Sequence, residues 1–319
     1  MDKNNVYDVI IIGSGPAGLA AGIYAGRSRL STLIIEKKKA GGQAAIASEI
    51  ENYPGADEGD TGPMLINKML KQTERFGVER AADEVIAVNF DGDAKTITGK
   101  KGDYKAKTVI IASGAFPRLI GCKGEAAFTG KGVSYCATCD AAFFEGLEVF
   151  VVGAGDSAIQ EALYVARFAR KVTVIYRRSQ AEMRAAKSLL QKAFDNPKFN
   201  FLYHSVVEEL RGETGILDTI IVKNTQTGEA AEFKADPEDG TFGLFVFVGF
   251  VPHTDIFTGN IAMDGAYILT DENMRTNIPG VYAAGDCRAK ALRQVVTAAA
   301  DGAIAAVHAE KYIERQGET

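Results

Sequence analysis

A chain of 319 residues, 46% hydrophobic and 24% charged, has the composition of a globular protein, and its length favours two domains over one. With a net charge of −5, nothing points to nucleic acid or to an anionic membrane as a partner. No apolar run approaches the roughly 18 residues of a membrane-crossing helix, so no membrane association is expected.

The opening Met1-Asp2-Lys3-Asn4-Asn5 is polar and leads straight into Val6-Tyr7-Asp8-Val9-Ile10-Ile11-Ile12. A secretory signal would need an apolar stretch closed by a small-residue cleavage site. This segment reads instead as a first strand, and a cytoplasmic setting is expected. The strand runs into Gly13-Ser14-Gly15-Pro16-Ala17-Gly18, and helix formers follow over residues 17–25. Glycines at this spacing fit a dinucleotide fingerprint. Gly13 permits the tight turn, Gly15 lets a pyrophosphate approach the backbone, and Gly18 lets helix and strand pack closely. The pyrophosphate sits on the helix N-terminus, where free N–H groups and the dipole favour an anion. A second strand, Thr32-Leu33-Ile34-Ile35-Glu36, ends on an acid 23 residues after Gly13, where a ribose hydroxyl is expected.

Gly41, Gly42 and Gln43 suggest a loop with close backbone approach to a ligand. Residues 63–76 carry helical periodicity, and residues 85–90 and 94–97 read as strands. Residues 108–112 form a buried strand, and Pro117 marks the first domain crossing. After Cys136-Ala137-Thr138-Cys139-Asp140, the strand Glu148-Val149-Phe150-Val151-Val152 runs into a second loop, Gly153-Ala154-Gly155-Asp156-Ser157-Ala158. A helix over residues 157–168 and a strand over 171–176 follow, so strand, glycine loop, helix and strand occur twice. The position that held Glu36 now holds Tyr176, followed by Arg177 and Arg178. An acid there accepts from a free ribose 2′-hydroxyl, whereas arginines can clamp a 2′-phosphate. The first site therefore suits FAD or NAD and the second NADPH; the plainer reading of the two arginines is a solvated strand end.

Residues 201–235 alternate as an extension of the second domain. Residues 243–249 read as a buried strand, with the return crossing just before it. A strand over 281–284 precedes Gly285-Asp286, and a last helical segment starts near Arg293-Gln294 and runs through residues 295–306. The expected architecture is α/β, with two Rossmann-like dinucleotide-binding domains, the second inserted in the first. The first domain comprises residues 1–117 and 243–319; the second comprises 118–242 and carries the cysteine pair.

Four cysteines, Cys122, Cys136, Cys139 and Cys287, are too few for a disulfide scaffold. A structural zinc wants four ligands, and no second C-x-x-C accompanies Cys136 and Cys139. The histidines His204, His253 and His308 stand alone, so no metal site is expected. The pair reads as redox-active, cycling between dithiol and disulfide, with Asp140 beside it to give or take a proton. Cys122 and Cys287 read as small buried apolar residues.

Val133-Ser134-Tyr135-Cys136-Ala137-Thr138-Cys139-Asp140 resembles the active-site motif of the low-molecular-weight thioredoxin reductases. The resemblance extends over nearly the whole chain. It includes both glycine loops, Gly41-Gly42-Gln43, Glu51-Asn52-Tyr53-Pro54-Gly55, and Gly285-Asp286 with Arg293-Gln294-Val295-Val296-Thr297-Ala298. It implies a homodimeric flavoprotein that passes electrons from NADPH through FAD and the cysteine pair to a thioredoxin disulfide. By the same resemblance Cys139 is the flavin-proximal thiol, Cys136 its partner and Asp140 the acid–base. Asp286, Arg293, Gln294 and Val295 would hold the flavin end of FAD. One departure stands out. The family's NADPH signature places a histidine before the paired arginines and three residues between them and a further arginine. Here Tyr176 takes the first place, and five residues separate Arg178 from Arg184. Arg184 either reaches the phosphate from a following helix or is a surface arginine. The departure leaves room for ferredoxin as donor, against which the intact Gly153, Gly155, Ala158 and paired arginines argue. A flavoprotein that senses redox state without turnover is a third reading.

Overall fold

Val6–Ile12 is buried along nearly its whole length, which marks it as a central strand covered on both faces. A computed structural model of the chain describes residues 6–37, 39–47, 50 and 52–317. Two compact units divide it: the described parts of Met1–Phe116 and Val251–Thr319 form one, and Pro117–Phe250 forms the other.

In the first unit Val6–Ile12 pairs in parallel with Thr32–Glu36 on one side and with Gly102–Ile111 on the other. Glu79–Ala82 extends the sheet beyond Thr32–Glu36, and Val281–Ala283 pairs in parallel with the end of Gly102–Ile111. The antiparallel strands Lys95–Gly99 and Val85–Asn89 complete the edge. Period-two alternation splits the apolar side chains between two cores. Val9, Ile11, Ile34 and Ile110 face one way, with Leu19 of helix Pro16–Arg27 and Ala305 of helix Val295–Gly317. Ile10, Ile12, Leu33, Ile35 and Val109 face the other, against Phe257. Each such fully buried side chain contributes about 1.5–3 kcal/mol by leaving water. The two helices touch closely: a Cβ on Gly302 would strike the carbonyl oxygen of Ala17.

The second unit repeats the plan. Its parallel sheet runs in the order Phe199–Leu202, Lys171–Ile175, Glu148–Val152, Gly243–Val246, Val133–Ser134. Val149, Val151, Val172 and Val174 pack on Ile159 and Ala162 of helix Asp156–Val165. Phe150, Ile175, Leu244 and Val246 pack on the other face with Ile220 and Val222. These last two come from an antiparallel sheet of Ser205–Arg211, Thr219–Asn224 and Ala230–Lys234.

The boundaries differ from the sequence expectation. Pro117 belongs to the second unit, and the return lies at Phe250/Val251 rather than before Gly243. Gly243–Val246 is buried throughout and pairs with Glu148–Val152. A strand apolar on both faces suits the centre of either sheet, and only long-range pairing decides which. The last helix also outruns the expected end at residue 306 and reaches Gly317. Residues 303–316 contain neither glycine nor proline, so nothing stops it earlier. No helix among the described residues is long and apolar enough to cross a membrane.

Candidate active site

The first glycine loop has the backbone that its sequence requires. Gly13 has φ +107°, and a Cβ there would strike the carbonyl of Ala112. A Cβ on Gly18 would run into the carbonyl of Gly13, so strand and helix approach more closely than alanine would allow. Gly15 faces open space: beyond its own neighbours along the chain, no atom of the described residues lies within 4 Å of where its Cβ would stand. Helix Pro16–Arg27 starts there with no side-chain cap and no acid in its first turn. Its free N–H groups and positive dipole end therefore suit an anion.

Other expected residues gather at this loop. Glu36 ends its strand, and its Oε2 accepts from both the backbone N–H and the hydroxyl of Ser14, each at 3.0 Å. Gly41 donates its N–H to Ser14 at 2.9 Å, which brings Gly42 against Gly15 and places Gln43 in the following turn. The Asn52 amide donates to Gln294 Oε1 at 3.1 Å. Gly285, at φ +77°, lies against Ala17, so Asp286 starts beside the loop. Asp286 Oδ1 and Arg293 Nε are buried and have no hydrogen-bond partner among the described residues. Burial raises the Asp286 carboxyl above the usual range, opposed by the positive charges of Lys290 and Arg293. The Arg293 guanidinium lies 4.4 Å from the centre of the Tyr267 ring, and Val295 opens the last helix. Glu51 lies outside the described residues.

A cluster that the sequence reading passed over holds this corner in place. Asp301 Oδ2 accepts from the Gly285 N–H at 3.0 Å and from Lys290 Nζ at 2.7 Å, and Oδ1 accepts from Arg288 at 3.2 Å. An acid within the otherwise uncharged stretch of residues 295–306 was the available signal.

In the second unit Gly153 has φ +127°, Gly155 is as open as Gly15, and Ala158 is buried where the first loop has its third glycine. Ser157 is exposed at the helix start, and Asp156 turns its Oδ1 to the Ala186 N–H at 2.7 Å. Arg177 is exposed, and Arg178 pairs with Glu182 at 3.6 Å. Tyr176 is a core residue, its hydroxyl donating to the Glu182 carbonyl at 2.7 Å. Between Arg178 and Arg184 lies the short 3₁₀ turn Gln180–Glu182, closed by a reciprocal Ser179–Glu182 capping box. Arg184 does not stand on the following helix, which begins at Lys187. It precedes that helix, its N–H donating to the Ala154 carbonyl at 3.1 Å, so its backbone adjoins the second glycine loop while its side chain is exposed.

The cysteine pair lies in this same unit. Strand Val133–Ser134 leads to it, and the one-turn helix Ala137–Asp140 carries Cys139. Cys136 and Cys139 are joined by a disulfide, with their Cα atoms 5.3 Å apart. Buried Ala137 anchors the turn, and both cysteines are half-exposed. Burial pushes the Asp140 carboxyl up, and the Ser134 hydroxyl, donating to Oδ2 at 2.6 Å, pulls it down. Cys122 and Cys287 are thiols; burial pushes Cys122 up to about 11 and also raises the fully buried Cys287.

The family model for the pyridine nucleotide-disulphide oxidoreductases matches residues 7–302. Thioredoxin reductase of Peptoclostridium acidaminophilum is 58% identical over 97% of this chain and 98% of its own length. Thioredoxin reductase of Bacillus subtilis is 44% identical over 100% of this chain and 98% of its own. The crystal structure of thioredoxin reductase from Streptococcus pyogenes superposes with a TM-score of 0.91 at 44% identity, covering 98% of this chain and 99% of that one. Two parallel sheets with open glycine loops and a disulfide-bonded C-x-x-C accord with that likeness: the chain belongs to the pyridine nucleotide-disulphide oxidoreductase family, among the thioredoxin reductases.

Proposed function

We propose that this protein is a thioredoxin-disulfide reductase. Electrons would pass from NADPH through FAD to the Cys136–Cys139 disulfide and then to a disulfide of thioredoxin or a thioredoxin-like protein. The observation that carries the reading is the disulfide itself, half-exposed and followed directly by a half-buried carboxyl. The first unit fits FAD: it offers an uncapped helix N-terminus, Glu36 at the strand end, and the buried, unpartnered Asp286 Oδ1 and Arg293 Nε. The second unit fits NADPH, with Arg177, Arg178 and Arg184 for the 2′-phosphate at the end of its second strand and beside its loop. Bound FAD supplies two-electron transfer between a nicotinamide and a disulfide.

Two electrons break the Cys136–Cys139 bond and leave two thiolate sulfurs, one of which takes a proton from Asp140. The attacking thiolate then opens the partner's disulfide: a mixed disulfide forms, and a partner thiolate leaves and takes a proton from solvent. The second cysteine, deprotonated by Asp140, attacks the mixed disulfide, re-forms the Cys136–Cys139 bond and expels the partner's second thiolate, which a solvent proton completes to a dithiol. We further propose that the protein is a homodimer, which sedimentation would test.

Stopped-flow absorbance with NADPH, NADH and reduced ferredoxin, followed by a thioredoxin disulfide-reduction assay, tests the reading. Rapid flavin bleaching by NADPH and turnover with thioredoxin are expected. Purified protein without flavin absorbance, or bleaching by ferredoxin alone, overturns it.

A further inference from the structure

We infer that Ser134 is a positioning residue for the cysteine pair, its hydroxyl linking the Cys136 backbone to the Asp140 carboxyl and fixing the orientation in which Asp140 exchanges its proton. This rests on the acid–base role of Asp140 in the proposed reaction.

Ser134 is well placed to hold another group still. It ends strand Val133–Ser134, lies in register with Phe245 of the parallel neighbour, and is 4% exposed. Its oxygen accepts the Cys136 N–H at 3.1 Å, and its proton goes to Asp140 Oδ2 at 2.6 Å. The Cys136 carbonyl, at 3.3 Å, is the longer alternative for that proton. A hydroxyl is the smallest group that accepts from an N–H and donates to a carboxylate at once. Sheet, cysteine backbone and carboxyl are thereby joined over seven residues, 134–140.

Among the described residues Ser134 is the one side chain bonded to Asp140. Helix Asp156–Val165 packs against the cysteine turn and carries two carboxylates. Asp156 is committed to the Ala186 N–H, and Glu161 has a buried, unpartnered Oε2. Residues 141–144, which follow the turn, carry no titratable side chain. Tyr135, next along the chain, donates its hydroxyl to Glu125 at 2.9 Å. Burial and the Ser134 hydroxyl are the two influences on Asp140, and they oppose each other. Without the hydroxyl, burial acts unopposed: the carboxyl holds its proton to higher pH and loses its fixed aim.

The test needs neither nicotinamide nor thioredoxin. In the purified protein dithiothreitol attacks the Cys136–Cys139 bond. A mixed disulfide forms, the released cysteine thiolate takes the Asp140 proton, and the second dithiothreitol thiol closes its own ring. One dithiol is oxidised and the pair is reduced to two thiols. The rate is read by alkylation and mass spectrometry across the pH range, for wild type, Ser134→Ala and Ser134→Thr. Dividing each variant's rate by the wild-type rate cancels the titration of dithiothreitol itself. For Ser134→Ala the ratio is expected to vary with pH, its limb displaced upward by about one pH unit, as for loss of one hydrogen bond to a carboxylate. For Ser134→Thr it should stay flat, and in an Asp140→Asn background the Ser134→Ala effect should lose its pH dependence. A flat Ser134→Ala ratio, or a pH dependence that survives Asp140→Asn, overturns the inference. If Ser134→Ala unfolds the chain, Ser134→Val against Ser134→Thr makes the same comparison, since valine keeps the shape and drops the hydroxyl. A pair that forms no reducible disulfide in the wild type would instead overturn the proposed function.

Discussion

Asn52 and Gln294 stand 242 positions apart, and the amide of the first donates to Oε1 of the second at 3.1 Å. The bond ties the loop after the second strand to the start of the last helix, the two places from which the first unit presents candidate cofactor residues. Asn52 is exposed, so the bond contributes about 0.5–1.5 kcal/mol. Asn52→Ala is expected to speed FAD release several-fold without lowering the melting temperature appreciably. Flavin fluorescence on dilution checks this, and an unchanged release rate would remove Asn52 from the site.

Asp301 is a different case, because it is buried with two cations on one carboxylate. Asp301→Ala leaves Arg288 and Lys290 uncompensated, a loss of about 3–5 kcal/mol for a buried pair broken on one side. Chemical denaturation should show a lower midpoint, and the purified variant should carry less FAD. Full stability in the variant would mean that the cluster is solvated.

In the proposed reaction Arg177 and Arg178 would separate the two nicotinamide cofactors. Replacing either with alanine removes a charge-assisted bond of about 1.5–3 kcal/mol to a 2′-phosphate. The expected KM for NADPH rises roughly 10- to 100-fold, with that for NADH nearly unchanged. Equal effects on both would assign the arginines to the solvated strand end.

Cys136→Ser and Cys139→Ser should each reduce thioredoxin turnover to background while leaving the flavin spectrum in place. Either variant retaining turnover would refute the dithiol route.

Glu161 predicts a pH effect on stability. Burial raises its carboxyl above the ordinary value near 4.5, so the folded chain keeps a proton that the unfolded chain has released. Stability is then lost as pH climbs from about 4.5 through the folded value. Glu161→Gln should therefore raise the melting temperature at neutral pH and change it little below pH 4.5. A gain of equal size at both would point to packing.

Much of this was legible in the sequence because it is local. The strand, glycine turn and helix at Gly13 and Gly153 follow from apolar period and turn chemistry within about 25 residues. Glu36 and Arg177 were singled out by counting from those glycines. The strand at Gly243 was assigned to the wrong unit, since its buried pattern suits either sheet. Ser134 and Asp301 were passed over for a related reason. Their importance lies in what the fold places beside them, Asp140 in one case and Gly285 with Lys290 in the other. Arg184 lay between: the count flagged it, but only the fold shows its backbone beside the second glycine loop.

The pairing of Val281–Ala283 with the end of Gly102–Ile111 also bears on how the chain is made. Val109, Ile110 and Ile111 are fully buried, yet one edge of that segment is covered by residues synthesised some 170 positions later. During translation the second unit, continuous from Pro117 to Phe250, is complete while the first still shows a bare apolar strand edge. The ribosome thus delivers the inserted unit first, and the sheet begun at the N-terminus waits longest for its last strand.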